Sequence, residues 1–226
     1  MKKKYEKHLA YYELRDELRK SAHCAFCSLE RKATHKFFDG LLYEKVTDRD
    51  MRAALVRSQG FCPRHSHVLA GFGDGLGTAI LYQDQIQLRL KALEKSGAKP
   101  RGSRNPSASS AKGGDGCPAC RRVEQVRSGL AHTLLQSLSD PEMVEVFTSS
   151  SALCLPHFSL VLNEAKESVA RSVLLRIESE RLEQLLALLK RYIAKHDYRR
   201  TAEGFAEEKE SWTRAVEIVS GVKNVF

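Results

Sequence analysis

Cys24-Ala25-Phe26-Cys27 and Cys62-Pro63-Arg64-His65 open the pattern that decides the fold, and the chain carries the same pattern a second time. The second copy consists of Cys117-Pro118-Ala119-Cys120 and Cys154-Leu155-Pro156-His157. These motifs use all 6 cysteines of the chain. Three thiolates and one imidazole form a complete tetrahedral ligand set, so the sequence predicts two metal sites. The predicted ligands are Cys24, Cys27, Cys62, His65, Cys117, Cys120, Cys154 and His157.

The two copies belong to halves of the chain that align with each other. A shift of 92 residues places Thr47-Asp48-Arg49-Asp50-Met51 on Ser139-Asp140-Pro141-Glu142-Met143, and it also superimposes the two CxxH motifs. This correspondence indicates an internal duplication, and two repeats favour pseudo-twofold packing. We therefore expect a metal-binding helical half over 1–94, a flexible basic linker over 95–116 and a second metal-binding half over 117–226.

Apolar residues recur at helical spacing almost throughout the chain. Runs of alternating β-branched residues and hairpin dipeptides between such runs are missing from the sequence. The sequence therefore predicts an all-α fold, a helical protein made of two related halves. Short helices should begin at Asp48 and Asp140, since aspartate is a favoured N-cap residue. The other predicted helices cover 5–21, 25–45, 63–71, 75–94, 118–138, 156–197 and 203–219.

The four ligand pairs share one predicted geometry. In Cys62-Pro63-Arg64-His65 and Cys117-Pro118-Ala119-Cys120 the proline is suited to the first helical position, which makes the preceding cysteine the N-cap. The second ligand then lies on the same helix face, and the helix N-terminus stabilises the thiolates. We expect one ion to hold the start of the 25–45 helix against the start of the 63–71 helix, so that each half closes its own site. The sequence leaves open the alternative that the two halves share ligands across the pseudo-twofold.

Zinc is the metal that this ligand set favours, with two ions per chain, because Cys3His is a common structural zinc set without an open position for catalysis. An iron–sulfur cluster is the main alternative, since clusters also take thiolates from CxxC pairs. Thiol redox chemistry without a metal is a third interpretation, although CPxC redox motifs usually accompany a βαβ unit. His23 and His67 lie beside the motifs and could replace a ligand, but exposed polar residues are more common.

The composition is that of an ordinary globular protein, with 42% hydrophobic and 29% charged residues. The basic N-terminus has no apolar stretch behind it, and no run reaches the roughly 20 apolar residues of a membrane span. We therefore expect a cytoplasmic protein that does not enter a membrane. Much of the +9 net charge lies in 1–7 and 95–116. Such segments give weak, non-specific nucleic-acid binding rather than a sequence-specific face.

The sequence contains no Ser-His-Asp order, no supported pair of catalytic carboxylates and no nucleotide motif. No catalytic or organic cofactor-binding residue is predicted, and the pattern leans against an enzyme. One candidate polar groove near the C-terminus combines Tyr198-Arg199-Arg200 with Glu203, Glu207, Glu208 and Trp212, although an exposed helix with one anchored tryptophan is the more common interpretation.

Two longer stretches resemble a bacterial and archaeal family of unknown function with paired CxxC and CxxH motifs. They are Gly60-Phe61-Cys62-Pro63-Arg64-His65 and the run from Gly73 to Asp84. Tyr11–Asp16 and Glu210–Ala215 are similar to its flanking motifs. The resemblance covers most of the chain apart from 95–116. It implies an all-helical fold with two metal sites and supplies no established activity.

Two functional hypotheses from different classes follow. In the first, zinc is structural and the helical surface binds a protein partner or a small ligand. In the second, the thiolates are a redox or metal sensor, in which oxidation ejects zinc and exposes apolar helix faces to a partner. An iron–sulfur protein is a further alternative.

Overall fold

The computed structural model describes residues 7–97, 116–151, 153–166, 168–197, 204–223 and 225. Within these ranges the chain forms ten helices and no strand, which confirms the all-helical class. Most of the predicted linker 95–116 and the segment 198–203 lie outside the described residues. The helices are α1 Leu9–Lys20, α2 Ala25–Glu44, α3 Arg49–Ser58, α4 Pro63–Ala70, α5 Gly75–Gly97, α6 Pro118–Ser137, α7 Pro141–Ser149, α8 Leu155–Glu164, α9 Ser168–Lys195 and α10 Ser211–Ser220.

The order of helices repeats along the chain. Helices α2 to α5 and α6 to α9 correspond in sequence, and α2 and α6 have the same length of 20 residues. The short helix α3 is capped by Asp48, whose side chain accepts a hydrogen bond from the amide of Met51 at 2.8 Å. Asp140 is the equivalent residue before α7, but its side chain makes no hydrogen bond to the start of this helix. Its carboxylate instead accepts a hydrogen bond from the hydroxyl of Tyr11 at 2.5 Å.

Two predicted helices differ from those in the structure. The single helix expected over 156–197 is wrong, because α8 ends at Glu164 and α9 begins at Ser168. Ala165 leaves the helical conformation with ψ of 89°, and its side chain is buried in the core. The last helix begins at Ser211 rather than near 203.

The chain forms two compact units that differ from the two sequence halves. The first unit combines Met1–Arg31 with Val126–Phe226, and the second consists of Lys32–Gln125. The boundaries therefore fall inside α2 and α6. We call them the discontinuous unit and the central unit.

The discontinuous unit has a core in which α1 packs against α7, and α10 packs against α8 and α9. Tyr11, Leu14 and Phe147 are fully buried there. The same core contains Cys24, Cys27 and Cys154, so three of the predicted metal ligands are buried inside it.

The central unit is built from α3 and α4 packed against α5, together with the end of α2 and the start of α6. Its core is aromatic, with the ring of Phe38 5.1 Å from that of Phe61 and 6.1 Å from those of Phe72 and His65. Among the described residues, no helix is long and apolar enough to cross a membrane.

Candidate metal centres

The structure brings the eight predicted ligands into two groups of four. One group consists of Cys62, His65, Cys117 and Cys120 and lies in the central unit. We call it the inner group, because in the sequence its residues lie between those of the other group. In each group the donor atoms all lie within 4.8 Å of one another. The other four residues form the outer group, which lies in the discontinuous unit: Cys24, Cys27, Cys154 and His157.

The pairing of motifs expected from the sequence is wrong. Each group takes its CxxC from one half of the chain and its CxxH from the other. The start of α2 therefore meets the start of α8, and not that of α4. The physical reason is that each motif supplies only two donors. Either CxxC can be completed by either CxxH, and packing within the units makes the choice.

All four motifs lie at helix N-termini, as the sequence predicts. Cys62 and Cys154 are N-cap residues, and Cys24 and Cys117 directly precede α2 and α6. The carbonyl of each of these cysteines accepts a hydrogen bond from the amide four residues later, at 2.8 to 3.1 Å. The helix dipoles thus converge on the sulfurs and favour the thiolates that a metal requires. Burial and the neighbouring sulfurs act against them and raise the pKa of Cys120 to about 12.

In each group, three nitrogen–sulfur distances and one sulfur–sulfur distance are close to the edges of a tetrahedron around one ion. In the outer group the sulfurs of Cys27 and Cys154 are 3.6 Å apart, and Nδ1 of His157 lies 3.1 to 3.5 Å from the three sulfurs. The inner group has a 3.6 Å sulfur pair and Nδ1 of His65 at 3.2 to 3.5 Å. Zinc bond lengths imply edges of about 3.8 Å between sulfurs and about 3.6 Å from sulfur to nitrogen. All six cysteines are free thiols.

The two histidines differ in what faces their other ring nitrogen. Nε2 of His157 lies 2.8 Å from Oε1 of Glu30, and Arg127 donates to both oxygens of this carboxylate at 2.7 and 3.0 Å. Nε2 of His65 instead lies 3.4 Å from the guanidinium of Arg64. A carboxylate behind a ligating histidine fixes its tautomer and increases its basicity. The outer group has this support from Glu30, three residues after Cys27. The residue three positions after Cys120, which is a ligand of the inner group, is Val123.

These surroundings move the pKa values of the two imidazoles in opposite directions. Burial works against the charged form of His157, but hydrogen bonds that the protonated ring donates to Cys24, Cys27 and Glu30 raise its pKa to about 11. Burial and the charge of Arg64 lower the pKa of His65 to about 4. The inner histidine is therefore neutral at pH 7, whereas a metal entering the outer group displaces a proton from His157.

The groups also differ in exposure. The outer ligands are all buried, with Cys27, Cys154 and His157 at 0% exposure. Cys62 and Cys120 of the inner group are half-buried. Water and small oxidants therefore reach the inner sulfurs more readily than the outer ones.

His23 and His67 belong to neither group. Nδ1 of His23 contacts a carboxylate oxygen of Glu217 at 2.6 Å instead. Sequence reasoning missed Glu30 and Arg127. The position of Glu30 offered a usable indication, because it follows Cys27 by three residues and so lies on the same face of α2.

The fold and these groups define an all-helical protein with two Cys3His groupings that could each hold a metal ion. The chain belongs to a family described as "Family of unknown function (DUF6062)", which matches residues 5–225. This confirms the resemblance drawn from the motifs.

A relative is the "Uncharacterized 23.9 kDa protein in xynA 3'region" of Caldicellulosiruptor sp. (strain Rt8B.4). It is 29% identical over 210 residues, which cover 90% of this chain and 98% of the relative. No solved structure matches the chain.

Proposed function

We propose that the protein is a zinc-stabilised helical binding protein, in which each Cys3His group holds one structural zinc ion. The observation that carries the proposal is the close spacing of four donors in both groups: all lie within 4.8 Å of one another, and one sulfur pair in each group is 3.6 Å apart. A set of four protein donors leaves no position for a substrate or a catalytic water. The metal would then stabilise the fold, and the surface of the helices would bind the partner.

The spacing also bears on the choice of metal. An iron–sulfur cluster places several iron and sulfide atoms between its ligands, so its cysteines must stand farther apart than those of a single ion. Donor atoms within 4.8 Å of one another suit one ion better than a cluster. Zinc is the common single ion for three thiolates and an imidazole.

Exposed apolar side chains support a role in binding a protein partner. Trp212, Val216 and Val219 of α10 are 52%, 60% and 60% exposed. Their i, i+4, i+7 spacing places them on one face of the helix, as in helices that dock against a partner. Basic residues in 1–7 and 95–116 support weak, salt-dependent contact with nucleic acid as a secondary property.

The deciding experiment is anaerobic purification followed by elemental mass spectrometry and a visible spectrum. We expect a colourless protein with about two zinc ions per chain, one for each closed set of donors. A brown protein that contains iron and sulfide would overturn the zinc proposal and favour electron transfer.

A redox sensor is the second candidate function, and the half-buried inner group favours it. Peroxide would oxidise two thiolates of this group to a disulfide, take up two protons and be reduced to two molecules of water, and the ion would leave. The sulfurs of Cys62 and Cys120 are already 3.6 Å apart. The test measures zinc release by peroxide and its reversal by a thiol reductant, together with partner binding. Retention of both ions under oxidant would remove this function.

A further inference from the structure

Helix α5 of the central unit exposes one face from its first turn to its end. The helix runs from Gly75 to Gly97, which corresponds to about 33 Å of helix axis. One side packs against α3 and α4, and Leu81 and Gln85 are buried on that side. The opposite side is left to solvent.

The residues of the exposed side follow the heptad spacing of a two-stranded coiled coil. Steps of three and four residues along this side pass through Leu76, Ala79, Gln83, Ile86, Leu90 and Leu93, and all of these residues are exposed. We call them the α5 seam. Its leucines at 76, 90 and 93 and its isoleucine at 86 are 75%, 54%, 66% and 58% exposed. Single exposed leucines are common on soluble proteins, but an aligned apolar stripe with this spacing is typical of an interface between two helices.

The internal duplication gives this face a counterpart that is largely buried. The corresponding helix of the second half is α9, and a shift of 92 residues places Ile86 on Glu178 and Leu93 on Leu185. Glu178 and Leu185 are both buried, and in the discontinuous unit α10 packs against α9. No described residue between α5 and α6 forms an equivalent of α10. The first copy of the repeat is therefore open to a helix from another chain.

Charged residues beside the seam are complementary to those of an identical helix. Arg89 precedes Leu90 and Glu94 follows Leu93, so the two charges lie on opposite flanks of the seam. In a parallel pair of helices, a residue on the flank of Arg89 faces the residue five positions later on the other helix. Arg89 of each copy would then face Glu94 of the other. In an antiparallel pair each flank faces itself, and these two charges would not meet.

We propose that the protein forms a parallel homodimer, in which the α5 seams of two copies pack against each other around a twofold axis. Identical residues meet in this arrangement, so Gln83 faces its own counterpart and the two side-chain amides can exchange a hydrogen bond. The helix needs no further folding on association, because packing of its other side already holds it in place. The seam is short, so the dimer should dissociate on dilution. This proposal goes beyond the zinc proposal, since the seam contains no metal ligand.

Sedimentation velocity of the full chain tests the dimer between about 1 and 100 µM, the range in which so small an interface should dissociate. We expect the share of dimer to increase with concentration. Leu90→Glu should leave only monomer, because it places two carboxylates opposite each other across the twofold axis. Leu186→Glu is the matched control, since Leu186 lies on α9 and is 51% exposed, and it should behave like the wild type. A wild-type monomer at every concentration, a dimer that persists in Leu90→Glu, or equal loss in both variants would overturn the proposal.

Reversal of the flanking charges tests the parallel orientation. Arg89→Glu places a carboxylate opposite Glu94, and Glu94→Arg places a guanidinium opposite Arg89, so each change should weaken the dimer about tenfold. The double variant Arg89→Glu/Glu94→Arg should restore the dimer. Arg89 also donates to Gln59 at 3.4 Å, and loss of that hydrogen bond alone would not be reversed by Glu94→Arg. Single variants without effect, or a double variant that is not restored, would overturn the proposed arrangement.

Zinc content and circular dichroism are measured in the same samples, so that the two proposals fail separately. If Leu90→Glu does not fold, the charge variants at exposed positions decide. Two zinc ions in a chain that stays monomeric would overturn the dimer proposal alone. A dimer without zinc would overturn the zinc proposal alone.

Discussion

Replacement of Glu30 by glutamine should weaken metal binding in the outer group and leave the inner group unchanged. Glu30 is 1% exposed and lies 2.8 Å from Nε2 of His157, so it is the direct support of this ligand. Loss of such a partner typically costs 10- to 100-fold in metal affinity, or about 1.4 to 2.7 kcal/mol. In the wild-type protein, both carboxylate oxygens of Glu30 accept hydrogen bonds from Arg127. The amide of glutamine has only one acceptor oxygen, so at least one of these bonds is lost. We therefore expect the upper part of that range.

The assay is a competition titration of the zinc-loaded chain with a chromophoric chelator. In the wild-type chain we expect a tight step for the outer group and a weaker step for the inner group, because His65 faces Arg64 and the inner sulfurs are more exposed. Glu30→Gln should shift the tight step 10- to 100-fold. Asp39→Asn is the control, since it removes the same charge from an exposed position of α2. A Glu30 variant whose tight step matches that of the control would refute the reasoning.

Three further predictions concern the two units. Cys120→Ser should remove amide hydrogen-exchange protection mainly from the central unit, and Cys154→Ser should remove it mainly from the discontinuous unit. Equal loss of protection in both units would show that they do not open separately. Tyr11→Phe should lower the free energy of unfolding in urea by about 1 to 2 kcal/mol, because the buried hydroxyl donates to Asp140 at 2.5 Å; the control Tyr12→Phe, at a residue 40% exposed, should have a smaller effect. Two hydrogen bonds from Arg52, both 2.7 Å, lower the pKa of Asp84, so their stabilisation is present above the unfolded pKa of about 3.9 and is lost as the pH falls through the lower folded pKa. Urea unfolding between about pH 2 and 6 should therefore show a weaker pH dependence in Asp84→Asn, and parallel profiles would contradict this.

Local chemistry explains what could be predicted from the sequence. Proline is favoured at the first position of a helix for local reasons, and therefore the starts of α4 and α6 are predicted at the correct residues. Ligand types and their spacing within each motif likewise depend on a single helical turn. The candidate donors could thus be identified without knowledge of packing.

Long-range contacts explain what could not be predicted. Which CxxH completes which CxxC depends on packing over more than 100 residues, since Cys27 meets Cys154. The break between α8 and α9 has no glycine or proline, and only the equivalent break in the first half, at 71–74, indicates it. In the sequence alone, Glu30 resembles an ordinary charged surface residue, because its partner His157 lies 127 residues away along the chain.

The crossed pairing of the motifs also determines the order in which the two ligand sets become complete along the growing chain. The inner group is enclosed in sequence by the outer one, because its ligands run from Cys62 to Cys120 while the outer ligands run from Cys24 to His157. A chain that emerges from the ribosome with its N-terminus first completes the inner set when Cys120 appears. Cys24 and Cys27, although made first, meet the partners that they have in the folded structure only when His157 follows. Under the proposal that each group holds one ion, the inner set is therefore available to a metal before the outer set is complete.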